Sequence, residues 1–181
     1  MRAWWLEGAA VVAAMVVAGP ALGDQPSSSP VLRTELGIGS VSLGNCHFSD
    51  ISTCDWSSFS GTGVGVVGAT YDSPIGSTPN LSLGGRLLWW EAGGARYLEF
   101  EPSLGVTWKF PLASWLEARL HVGGGLYLGT DFGLALRVGA GLGVSLSQSV
   151  SLGVDGLLEA GVLAGNLNSI STVTLGPAFR L

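Results

Sequence analysis

From Leu32 to the end of the chain, apolar and polar or very small residues alternate with a period of two. That is the signature of strands presenting two chemically different faces. The clearest segment is Arg96 to Phe110. Leu98, Phe100, Pro102, Leu104, Val106, Trp108 and Phe110 share one face, against Tyr97, Glu99, Glu101, Ser103, Gly105, Thr107 and Lys109 on the other. The same split predicts strands over Leu116–Leu128, Phe132–Leu146, Val150–Val162 and Ile170–Leu181. Three weaker strands precede them, Leu32–Leu43 with a register slip near Ser40, the Gly-rich Gly61–Tyr71, and Asn80–Trp90. Eight strands in an all-β, antiparallel up-and-down arrangement follow. Tight turns are expected at Asp72–Pro79, Pro111–Ser114 and Ser147–Ser149. The opposite end carries Gly44–Ser60 and the segments Glu91–Ala95, Gly129–Asp131 and Ala164–Ser169.

Charge decides which face is inside. Behind residue 23 the basic residues on the polar face are Arg33, Arg86, Lys109, Arg119, Arg137 and Arg180. The acids sharing it are Glu35, Glu99, Glu101, Glu117, Asp155 and Glu159. An open, solvated face needs no such balance, whereas a barrel lumen does, because partly desolvated charges must be paired. The many glycines of this face suit a narrow lumen. His121 falls on it too and is expected to bond Glu117 or Glu99. The opposite face is then a continuous apolar exterior. It would aggregate in water and is at home in a bilayer, where closure also removes unpaired strand edges. A lipocalin-like secreted barrel would reverse this pattern. Aromatics gather at the two strand ends as membrane girdles do. Tyr71, Trp108, Phe110, Trp115 and Phe179 lie at the short-turn end, and Trp89, Trp90, Tyr97, Phe100, Tyr127 and Phe132 at the other.

The N-terminus reads as an export signal over residues 1–23. Arg2 is followed by an apolar stretch from Gly8 to Ala18, ended by Gly19-Pro20, and Ala21-Leu22-Gly23 forms a small-residue cleavage site. A polar Pro/Ser tether over residues 24–31 leads into the barrel domain, 32–181. Export favours a disulfide between Cys46 and Cys54. Cys46, His47 and Cys54 alone lack metal-site spacing, so neither metal nor cofactor is expected. Hydrophobic residues make up 47% of the 181, which rules out a disordered chain. The net charge of −5 argues against nucleic-acid binding.

Thr174-Leu175-Gly176-Pro177-Ala178-Phe179-Arg180-Leu181 resembles the C-terminal insertion signal of outer-membrane barrels, with Thr174, Gly176, Phe179 and Leu181 at its key positions. Leu181 stands where bacterial members more often end in an aromatic residue. Pro177 needs a place where its missing N–H is not required. With its strand number and turns, the chain from about Leu32 onward resembles the small OmpA/OmpX-type barrels. The resemblance implies a bacterial outer-membrane location, surrounding lipid, insertion by the barrel assembly machinery, and a monomer.

Three functions are compatible with such a barrel. One is a structural or surface-interaction role with a charge-plugged lumen. Its loop Asn45–Phe59 would offer Phe48, Trp56 and Phe59 to a surface ligand. The second is a narrow, porin-like ion or small-solute channel. The third is a lipid-modifying enzyme, for which His47, Ser49 and Asp50 form the one serine–histidine–acid set. That set lies in a loop, and His121 faces the lumen and has Gly123 two residues on, where the His-x-Ser pattern of outer-membrane lipid A deacylases has a serine, so no enzyme is expected.

Overall fold

The computed structural model describes residues 29–47, 61–75, 79–163 and 166–181; the side chains of residues 43–47, Gly61 and Asn166 are not among what it describes. The eight strands are β1 Val31–His47, β2 Gly61–Pro74, β3 Asn80–Ala92, β4 Ala95–Ala113, β5 Leu116–Gly129, β6 Phe132–Ser145, β7 Val150–Leu163 and β8 Asn166–Arg180. Each pairs antiparallel with its sequence neighbours, and β8 pairs with β1 to close the barrel. The barrel therefore has no exposed sheet edge, as a chain in hydrocarbon requires. β1 begins at Val31, one residue inside the expected tether.

Register fixes the shape. A row of paired residues from Arg33 runs through Thr70, Gly84, Ser103, Gly125, Ala135, Gly161 and Asn168, then re-enters β1 at Leu43. It returns ten residues further along the strand, which for eight strands sets a tilt of roughly 40° to the barrel axis. Tilted rows bring residues from very different heights of the sequence pattern into one lumen layer.

The connections are shorter than the sequence suggests. β3 continues through Ala92 and turns on Gly93-Gly94, with φ of 59° and 81°. Two consecutive positive φ values make the mirror-image turn whose twist matches that of the flanking strands, and glycine adopts them without steric cost. β5 joins β6 through residues 130–131, and residues 164–165 separate β7 from β8. The expected four connectors at this end thus reduce to three two-residue hairpins and the long segment 48–60. At the other end β2 extends through Pro74 and β4 through Ala113, with a register shift between Pro111 and Ala113.

Four prolines lie within strand bounds; Pro74 and Pro111 stand near strand ends, and Pro102 and Pro177 each lie where one ladder skips two pairs. The β4–β5 ladder passes from Phe100 to Ser103 around Pro102, and the β1–β8 ladder from Arg33 to Leu36 around Pro177. Missing N–H groups are tolerated there because no ladder partner is left without its donor. Thr34 donates its hydroxyl to the Pro177 carbonyl at 3.3 Å across the gap. The register slip expected near Ser40 is absent. Arg33, Glu35 and Val41 all lie buried on one phase, and the shift comes later, between Leu43 and His47.

Candidate functional site: the lumen

The inward phase of the strands builds a lumen of three layers. At the end holding the chain termini, Asp72 is the hub. Arg33 donates to it from Nε at 3.1 Å and from Nη2 at 3.2 Å, Ser82 donates at 2.7 Å, and Lys109 Nζ lies 3.3 Å away. Arg33 Nη1 also reaches Asp155 at 3.8 Å, and Arg119 donates to Asp155 at 3.0 Å. Glu117, half-buried, lies 3.9 Å from Arg119. Ser82 and Thr107 share a hydrogen bond of 2.6 Å, and Thr107 meets His121 Nδ1 at 2.9 Å. Glu35 accepts from Thr70 at 2.7 Å.

The middle layer centres on Arg86, fully buried between Glu101 and Glu159 and bonded to both. Tyr127 donates its hydroxyl to the second oxygen of Glu159 at 3.0 Å, and Arg137 lies 3.6 Å from Glu101. Each charge here is buried, so attraction offsets desolvation only because the partners are held in place by packed strands.

Towards the hairpin end the lumen turns apolar. Val41, Val64, Val66, Leu88, Trp90, Tyr127, Ala135, Leu163 and Ile170 form one buried cluster. Trp90 stacks on Tyr97 with ring centroids 5.1 Å apart and planes 5° from parallel. Between the charged layers a cavity of about 20 Å³ remains, lined by Glu35, His121, Arg137 and their neighbours. Room for roughly one water molecule is far from a continuous pore.

The sequence expectations meet this geometry unevenly. Arg33, Glu35, Arg86, Glu101, Lys109, Glu117, Arg119, His121, Arg137, Asp155 and Glu159 all enter the lumen. Arg180 does not join their network. It is exposed at the terminal rim and makes no ion pair with a described residue. Glu99 is buried, but it accepts a backbone N–H from Asp131 at 3.1 Å rather than pairing with a cation. His121 bonds Thr107, not Glu117 or Glu99, because β4 and β5 set Thr107 directly opposite it.

Trp90, Tyr97 and Tyr127 are not girdle residues. Trp90 is 4% exposed, Tyr127 is fully buried, and Tyr97 packs on the inner apolar cluster. All three share the inward phase of Arg86, Glu99 or Arg119, a signal the alternation already carried. The outward rings are Trp89, Phe100 and Phe132 at one end and Trp115 and Phe179 at the other, with Tyr71, Trp108 and Phe110 partly exposed beside the latter.

Asp72 is the residue that sequence reasoning missed. Its place in Asp72–Pro79 predicts turn material, yet it continues the inward phase of Gly68 and Thr70, and β2 extends past it. The Cys46–Cys54 pair, the loop aromatics Phe48, Trp56 and Phe59, the set His47, Ser49 and Asp50, and the signal segment lie outside the described residues or side chains.

A known structure shares this architecture. Neisserial surface protein A superposes with a TM-score of 0.65 at 9% identity, covering 84% of this chain and 97% of its own. The fold is that of a small outer-membrane barrel. The N-terminal barrel domain of OprF from Pseudomonas aeruginosa aligns with a TM-score of 0.48 at 11% identity, over 85% of this chain and 98% of that domain. Ail, the attachment invasion locus protein of Yersinia pestis, gives 0.42 at 13% identity, over 84% and 99%. No family model matches the sequence. No curated protein matches it either. The exterior agrees with the fold, since Leu36, Ile38, Leu104, Leu134, Leu136 and Val173 face outward and are more than half exposed. Such a surface needs lipid as its solvent.

Proposed function

We propose that this outer-membrane barrel is a sealed structural and surface-interaction protein, and not a channel or an enzyme. The observation that carries this reading is the stacking of two different barriers in one lumen. The Arg86–Glu101–Glu159 cluster fills the middle, and the apolar layer of Val41, Val66, Leu88, Trp90 and Ile170 closes the hairpin end. An ion would have to displace tight pairs and then cross a dry constriction. With three of the four hairpin-end connections reduced to two residues, the segment 48–60 is the one long enough to offer a binding surface.

Single-channel recording on the folded barrel in a planar bilayer tests this, with folding checked by the gel-mobility shift on heating. The expected result is a silent bilayer. Steady current steps of reproducible size would replace this reading with a pore.

A further inference from the structure

The apolar belt around the barrel is lopsided. On β6 every outward position from Phe132 to Leu146 is apolar. On β5 the outward positions from Leu116 to Leu128 are apolar apart from Gly124. At a tilt near 40° each residue climbs roughly 2.5 Å, so the β6 run covers about 35 Å of height. Across the barrel the belt is shorter. β1 is apolar outward only from Leu32 to Ile38, interrupted by Thr34, and then presents Ser40 and Ser42. β8 is apolar from Leu181 to Val173 and then presents Ser171 and Ser169, with Leu167 beyond them. These runs cover about 15 Å on β1 and about 20 Å on β8 on the same scale. On β2 the apolar side chains end at Val67, above which come Gly65, overlain by the Trp89 ring, and Gly63, with open space beside it.

The serines form one patch. Ser40 pairs with Ser171 and Ser42 with Ser169 across the β1–β8 seam, and Gly63 lies opposite Ser40 on β2. The Ser40 and Ser171 hydroxyls bond each other at 2.9 Å, which leaves each with further hydrogen-bonding capacity facing outward. The row Val138–Leu158–Ser171 climbs roughly 3 Å per strand, so Leu136, one outward position above Val138, is level with Ser171. Leu136 is 75% exposed on an apolar wall, and Ser171 stands at the same height in a polar one.

The geometry points to a lipid-surface contact at the β8–β1–β2 seam, where the bilayer is thinned and polar headgroups with their water descend onto Ser40, Ser42, Ser169 and Ser171. A hydrocarbon layer of about 25 Å fits within the apolar height of the β5–β6 wall, but it is deeper than the apolar runs of the seam and would bury free hydroxyls there. Thinning on one side satisfies both walls at once.

Nitroxide accessibility tests this on the exported chain purified from membranes and reconstituted in lipid. Labels are placed at Ser171→Cys and Leu136→Cys in a Cys46→Ser/Cys54→Ser background. The expected result is a ratio of nickel-chelate to oxygen collisions several-fold higher at 171 than at 136. Equal ratios would overturn the proposal, and exclusion of both reagents at 171 would assign the patch to a second protein chain instead. If the labelled chains fail the heat-mobility check, Ser40→Leu/Ser171→Leu is compared with the native chain in bilayers of short and long acyl chains. The native barrel is expected to lose more thermal stability than the variant as the bilayer thickens. Equal losses would overturn the proposal as well.

Discussion

Arg33 holds Asp72 through two hydrogen bonds, Nε to Oδ2 at 3.1 Å and Nη2 to Oδ1 at 3.2 Å, with the carboxylate fully buried. Lys109 and Ser82 complete the shell of that carboxylate. Asp72 thus ties β1, β3 and β4 to the end of β2.

Removing that carboxylate takes from buried Lys109 its ion-pair partner and leaves Arg33 only the 3.8 Å contact with Asp155. Asp72→Ala is expected to cost about 3–5 kcal/mol of folding free energy, the range for breaking one side of a buried pair. Asp72→Asn, which keeps an acceptor for Ser82, should cost less. Urea titration of the folded barrel in lipid vesicles measures both. A loss below about 1 kcal/mol for the alanine variant would mean that these charges are solvated and the hub is not structural.

Trp90 seals the hairpin end, and Arg86 plugs the middle. Trp90→Ala removes a large buried ring and its stack on Tyr97, which should destabilise the barrel by about 3–5 kcal/mol. It should still not conduct, because the Arg86 layer remains. Trp90→Ala combined with Arg86→Ala should open measurable current in a planar bilayer. Current from Trp90→Ala alone would show that the charged layer is no barrier.

Gly176 faces the β1 backbone so closely that a Cβ there would collide with the Thr34 carbonyl. The β1–β8 ladder already skips pairs at this point, and the Thr34 hydroxyl bridges to Pro177. Gly176→Ala is therefore expected to weaken barrel closure and lower the temperature of the heat-induced mobility shift. Gly63→Ala, at a position with open space, should leave it in place. Similar shifts for the two variants would separate the role of Gly176 from the close approach.

Glu91 and Arg96 form an ion pair of 3.6 Å at the Gly93-Gly94 hairpin, with both side chains largely exposed. Exposed pairs contribute little, because water screens them and two long side chains must be ordered. Glu91→Gln should be indistinguishable from the native chain in the same urea titration. A clear loss would point to an unrecognised partner at this rim.

Alternation along the chain was enough to predict eight strands, antiparallel order and a charged interior. Side chains on a strand point to opposite faces with period two, and one face had balanced ions. Arg86, Glu101, Arg119, Arg137, Asp155 and Glu159 were legible as lumen residues for that reason alone. Trp90 and Asp72 were legible in principle, since each continues the phase of Arg86 or Thr70, but aromatic and turn-forming character argued the other way. What only the tertiary structure decided is the layering and the choice of partners. A row that returns ten residues higher after one circuit places Arg86 of β3 against Glu159 of β7, 73 residues away, and stacks an apolar seal above them. No local pattern encodes that offset, because shear is a property of the closed barrel, set when β8 meets β1.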